Sequence, residues 1–211
     1  MDTLSKLMGA LSGEIEYLTR TIGTGSILVL GPPRGGKGTQ SKRLAAMLGG
    51  VTESSGDLFR AAALDPEIKS QLDGGDLVDS EAFFKLILPQ FGKPEYTGKL
   101  LILDAVGRKK GEEQETMRVM SELNHPIKVV VRIIVGDEET RRRGREGEAV
   151  RADDGAEEHE HRLDEFHEHT DPVIKYYENL GLLITVNGEQ DEGGVTWDII
   201  RLLYQYFVTK G

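Results

Sequence analysis

Cysteine is absent from the 211 residues, so the chain holds neither a disulfide framework nor a thiolate zinc site, and redox usage gives no clue to compartment. Positive charge is also scarce: 26 Lys and Arg stand against 36 Asp and Glu, a formal charge of -10. That balance argues against a nucleic-acid or anionic-membrane surface spread over the whole molecule and leaves room for a local basic site. No apolar run is long enough to span a bilayer. The opening MDTLSKLMGALSGEIEYL carries acidic residues and lacks the basic flank and continuous apolar stretch of a secretory signal. There is no internal repeat and no low-complexity tract. A cytoplasmic protein is expected, with neither nucleic acid nor membrane as a partner, and the length suits one compact core with small insertions.

Leu4, Leu7, Met8, Leu11, Ile15, Leu18 and Ile22 recur at helical spacing before the GTGS break at 23–26. Such a stripe packs on its own domain or on a partner. Farther on, ILVL at 27–30, LLIL at 100–103, KVVVRIIV at 128–135 and LLITV at 182–186 read as buried strands alternating with helical patterns. Alternation of this kind predicts an α/β fold, a central parallel sheet with helices on both faces.

The first chemical signal is GPPRGGKGTQ at 31–40, placed between the strand ILVL and the helical run SKRLAAML. A glycine-rich turn lets backbone N–H groups converge on phosphate oxygens, and the following helix aims its free N–H groups at the same anion. Gly31, Gly35, Gly36 and Gly38 are the cradle candidates. Lys37 supplies a mobile cation, and the Thr39 hydroxyl is placed for Mg²⁺ or a phosphate oxygen. Gly38 separates the Lys from Thr39, a departure from the commonest P-loop spacing.

This loop resembles the GxPGxGKGTQ loop of the nucleoside monophosphate kinases, adenylate kinases above all, and differs at Arg34. The resemblance implies a P-loop three-layer αβα fold with a helical monophosphate-binding insertion at about 54–78 and a short lid at about 144–154, within a domain spanning about 26–211 behind a helix and linker over about 1–25. Arg34 stands where glycine would allow angles that Arg tolerates poorly; it adds a cation beside the phosphates, and a solvent-pointing side chain is expected. The likeness continues in order. SSGDLFRAA at 54–62 is similar to the segment that opens the monophosphate site, implying Ser55 for base or ribose and Arg60 for phosphate; Ser55 or Asp57 also reads as a helix cap. GGDLVDSE at 74–81 implies that Asp76, Leu77 and Val78 lie against the acceptor base.

LILDAVGRKK at 101–110 is similar to the family's LLDGFPR, implying Asp104 as a Mg²⁺ holder through water, with Asp57 as a second candidate, and Arg108 as a grip on the acceptor phosphate. Ala105, Val106 and Gly107 replace the Gly-aromatic-Pro element, with Ala105 still placed at the acceptor. The Gln that adenylate kinases carry soon after this Arg is missing unless Gln114 compensates. In DEETRRRGREGEAVRADDGAEEHEHRL at 137–163, Arg141 and Arg145 share one helical face. The resemblance assigns those two to the donor nucleotide, Arg151 and Arg162 to the transferring phosphate and acceptor, and Asp153 and Asp154 to the lid's paired aspartates. Arg142 and Arg143 read as a solvated charge run. His159, His161, His167 and His169 among glutamates read as an exposed acidic face rather than a metal site, and no zinc is expected. After the last strand, Gly193 stands in the loop that meets the donor adenine in the family.

The resemblance implies a magnesium-dependent transfer from ATP to AMP by a monomer, with a UMP/CMP kinase as alternative. A nucleotide-binding regulator that has lost turnover is a second alternative, motivated by Arg34, the 105–107 turn and the missing Gln.

Overall fold

A computed structural model describes residues 3–62, 76–146 and 155–210, apart from the side chains of Ala62 and Glu146. Arg151, Asp153 and Asp154 lie outside the described residues. Five strands, β1 (Ser26–Leu30), β2 (Val51–Ser54), β3 (Leu101–Asp104), β4 (Ile127–Ile134) and β5 (Leu183–Asn187), form one parallel sheet in the order β2-β3-β1-β4-β5. Every residue of the central β1 is buried. Ile27 and Val29 pack on one face with Val129, Val131 and Ile133, while Leu28 and Leu30 pack on the other with Leu101, Leu103 and Val130. The period-2 alternation of a strand thus feeds two cores, so the run in sequence is continuously apolar.

Helices α1 (Thr3–Ala10), α2 (Ser12–Ile22), α3 (Lys37–Leu48) and α10 (Glu192–Lys210) cover the first face. The other is covered by α5 (Ser80–Ala82, continued by a π-helical turn at Phe83–Ile87), α6 (Glu113–Glu122) and α9 (Asp171–Asn179). Three further helices, α4 (Ser55–Ala62), α7 (Asp137–Glu146) and α8 (Ala156–Glu165), surround the sheet's carboxyl edge. The stripe expected as one helix over 4–22 bends at Leu11. Hydrogen bonds from Leu11 N to Leu7 O and from Ile15 N to Leu11 O keep the four-residue spacing across the bend. Leu11, Leu18 and Ile22 are buried against the domain's own core, and Arg201 of α10 pairs with Glu14 at 2.7 Å.

The four strands expected from apolar runs appear within one residue of those runs. β2 was not expected: Val51, Thr52, Glu53 and Ser54 form an edge strand that is only half-buried along its length. All five strands point their carboxyl ends the same way. The loops leaving them therefore gather along one edge, where ligands of open α/β sheets bind.

Candidate active site

The loop after β1 leaves from the middle of that edge. A Cβ added to Gly31 would lie 2.7 Å from the carbonyl of Ile133, so nothing larger fits beside β4. Gly36 takes φ 87° to open α3, and Lys37 folds its ammonium back onto the Pro32 carbonyl at 2.8 Å. Gly35 N–H donates to the same carbonyl at 3.1 Å. Arg34 has φ 57°, the left-handed conformation that costs a non-glycine residue about 1–2 kcal/mol. Its side chain corrects the solvent-pointing expectation: Arg34 is half-buried, and a Cβ built on Gly144 of α7 would fall 1.8 Å from the guanidinium.

A pocket opens between this loop and the segment after β5, lined by Gly35, Gly36 and Thr39 on one side and by Gly188 through Glu192 on the other. Arg142 and Arg143 complete its wall. Arg143 ties three segments together: its guanidinium donates to Gly188 O at 2.8 Å, to Glu139 at 2.8 Å and to Arg34 O at 3.4 Å. The two neighbouring guanidiniums hold the Glu139 carboxyl down at about 2. Arg141, by contrast, is spent on a two-pronged pair with Glu160 at 2.7 and 2.8 Å, and Arg145 is exposed. Helix phase explains the exchange. Thr140 is fully buried and fixes the inward face, from which Arg141 and Arg145 point to the flank. Gly193 does not line this wall; it is buried near Thr3 and Leu7 of α1.

On the other side of β1, Asp104 ends β3 with its carboxylate against α3: a Cβ on Gly38 would lie 3.4 Å from it. Ala105 follows with φ 56°, so the second position where the family pattern has glycine also keeps glycine's backbone shape. Ser55 donates its hydroxyl to Ala105 O at 2.9 Å. The helix cap falls one residue earlier than expected, with Ser54 Oγ accepting from Asp57 N at 3.4 Å. Asp57 pairs with Arg60 at 2.5 Å on an exposed face of α4.

Ser55, Leu77, Val78, Ala105 and Arg108 line a second pocket, walled also by Phe59 and Phe83. Asp76 reaches it too but bonds His161 of α8 at 2.6 Å, while Leu77 N–H donates to Glu165 at 3.2 Å. Desolvation pushes Arg108 down to about 10, and the positive charge of Arg162 adds to that, against Asp104, Glu112 and Glu165. Arg108 and Arg162 therefore share one neighbourhood, and Arg162 is in turn within electrostatic reach of His159 together with Arg34 and Arg141. Gln114 is exposed on α6, whereas Glu112, unnoticed in the sequence, is 4% exposed and lines the pocket.

The histidines have separate partners. His159 contacts Thr140 at 3.3 Å, and His167 bridges Asp137 and Asp171 at 3.1 and 2.9 Å. Among the described residues no group of three or more His, Asp or Glu side chains is placed to hold a metal ion. Nor is any helix among them long and apolar enough to cross a membrane.

A P-loop on a parallel sheet, with a pocket on each side of it and cations between, defines the P-loop phosphotransferase class. Comparison with known proteins narrows this. The chain belongs to the adenylate kinase family, whose model matches residues 29–182. It is similar to the adenylate kinase of Micrococcus luteus, 34% identical over 185 residues that cover 84% of this chain and 90% of that protein. The adenylate kinase of Renibacterium salmoninarum is 34% identical over 169 residues, covering 77% and 87%, and that of Agrobacterium fabrum 32% over 190 residues, covering 84% and 96%.

Proposed function

We propose that the protein transfers the γ-phosphoryl group of MgATP reversibly to AMP, giving two ADP. The observation that carries this reading is the shared edge: Lys37 and Asp104 beside the P-loop, Arg108 beside Arg162, and a pocket on each side.

In this reading the N–H groups of Gly36 and Gly38 cradle the ATP phosphates while Gly35 holds the turn through Pro32, Lys37 swings from Pro32 to follow the moving group, and Arg143 steadies the donor side. Gly31 keeps the loop close to β4, and Arg34 adds charge at the lid side. Arg108 and Arg60 grip the AMP phosphate, while Ser55, Leu77, Val78 and Ala105 receive its ribose and base. Arg162, joined by Arg151 from the lid, meets the charge that spreads over the equatorial oxygens in the transition state. Positioning and charge stabilisation suffice, and no general base is required.

Thr39 and Asp104 fit a hard cation brought in on the phosphates, Thr39 through its hydroxyl and Asp104 through water, because both present oxygen at the start of α3. Mg²⁺ bound there would neutralise phosphate charge and fix the phosphate geometry. Asp57, paired with Arg60, serves the acceptor side instead. A cytoplasmic monomer with AMP and ATP as its partners completes the proposal. A coupled assay of ADP production from ATP with AMP, UMP, CMP and GMP in turn tests it. Turnover with AMP that chelation by EDTA abolishes is expected; tight ATP binding with no turnover on any acceptor would favour a regulator instead.

A further inference from the structure

The pocket read above as the acceptor site contains one feature that its phosphate-gripping role does not use. Glu112 is almost fully buried yet lines the cavity, and its carboxylate is fixed from two sides. Ser80 donates its hydroxyl to one oxygen at 2.9 Å and Lys109 N–H donates to the other at 3.2 Å. Each oxygen of an ionised carboxylate has about two acceptor sites, so each keeps one after these bonds. An anchored acceptor pair of this kind is costly to leave unmatched in a dry site.

Charge decides which end of a monophosphate faces it. A phosphate dianion cannot rest against a buried carboxylate when Arg108 lies in the same pocket, so the phosphate takes the arginine and the base takes Glu112. The apolar walls at Phe59, Val78 and Phe83 suit a flat ring. Adenine presents an N–H donor at N6 beside a bare lone pair at N1; it offers the carboxylate one hydrogen bond and one repulsion. Guanine presents two adjacent donors, N1–H and the N2 amino group, which match the two free acceptor sites.

We infer that Glu112 reads the acceptor base and that its carboxylate admits guanine alongside adenine, making GMP a second phosphoryl acceptor. The step is the one already proposed: a phosphate oxygen of GMP bonds to the γ-phosphorus, the γ-phosphorus–bridging-oxygen bond breaks, and ADP leaves with that electron pair while GDP forms. This inference rests on the reading of the pocket as the acceptor site.

The test compares the ratio of kcat/KM for GMP to that for AMP in the wild type and in Glu112→Gln, because a ratio within one enzyme is unaffected by the fraction folded. Wild-type GMP turnover within about a hundredfold of AMP is expected, and the amide, which can donate to N1 and accept from N6 of adenine, should shift the ratio toward AMP by about tenfold or more. Dissociation constants of GMP and AMP from calorimetry should shift the same way. An unchanged ratio in both readouts, or a wild type that neither binds nor phosphorylates GMP, overturns the inference while leaving AMP turnover intact. Absence of turnover with either nucleotide defeats the proposed function instead, and the calorimetric ratio still decides the role of Glu112.

Discussion

Substituting Gly107 by alanine should both destabilise the fold and disable the acceptor side, through two separable costs. Gly107 has φ 63°, so alanine there carries about 1–2 kcal/mol of left-handed strain, offset by about 0.4–1 kcal/mol from the stiffer unfolded chain. The added Cβ would also lie 2.4 Å from Thr116 Oγ1 and 3.0 Å from Thr116 Cβ and Cγ2. Thr116 is completely buried, so it has nowhere to retreat, and overpacking of this kind costs about 1–3 kcal/mol. The sum is roughly 1–5 kcal/mol, and a domain of this size should lose about 2–4 °C in Tm for each of them. Because the next residue is Arg108, kcat/KM for the acceptor should fall more than affinity for ATP. A second substitution, Thr116→Ala, separates the terms: losing the buried, unpartnered hydroxyl costs little and losing the buried methyl costs about 0.5–1.5 kcal/mol in the wild-type background, while in the double variant the same deletion should return the overlap portion. Calorimetric Tm values for the four-member cycle decide the matter. A single variant as stable as the wild type, or a double variant no better than the single, would refute the reasoning.

Arg108→Ala should lower kcat by about a thousandfold with little change in ATP affinity, read by steady-state kinetics, since transition-state charge in phosphoryl transfer is what such cations stabilise. Arg143→Ala should raise KM for ATP by about tenfold or more while Arg141→Ala stays near wild type, the reverse of what the i, i+4 spacing of Arg141 and Arg145 suggests. His167, bonded to Asp171 and Asp137, has its pKa raised in the folded state, so the stability it contributes is complete below the ordinary histidine value near 6.5 and lost as pH rises through the raised value. His167→Ala should therefore lower Tm at pH 5.5 and have little effect at pH 8.5. The group is half-exposed, so the effect should stay below about 1 kcal/mol.

Much of this architecture was legible from residue order. β1 and β3 announce themselves because a parallel strand covered on both faces must be apolar, β4 and the edge strand β5 because their Val, Ile and Leu runs stay apolar although some of their residues are exposed, and the P-loop because strand, glycines, lysine and helix leave few other options. β2 escaped notice since an edge strand half-exposed along its length, Val-Thr-Glu-Ser, carries no such pattern. Arg143 was hidden within three consecutive arginines, and its partner Gly188 lies 45 residues away. A signal was present: Thr140 and Gly144 are the only uncharged residues of α7, four apart, and they mark the inward face that Arg143 flanks. Glu112 carries no signal of its own because Glu-Glu before a helix looks like ordinary N-terminal charge, and only the fold shows which of the two is enclosed.

Arg34 of the phosphate loop fills the space that a side chain at Gly144 of α7 would need, and this binds their evolutionary fates. A methyl group at 144 requires the guanidinium to leave, and a glycine at 34 would free that space for a side chain on α7. Either substitution alone changes the packing between the phosphate loop and α7, so across descendants of this chain the two positions should drift as a correlated pair, with bulk conserved in the sum.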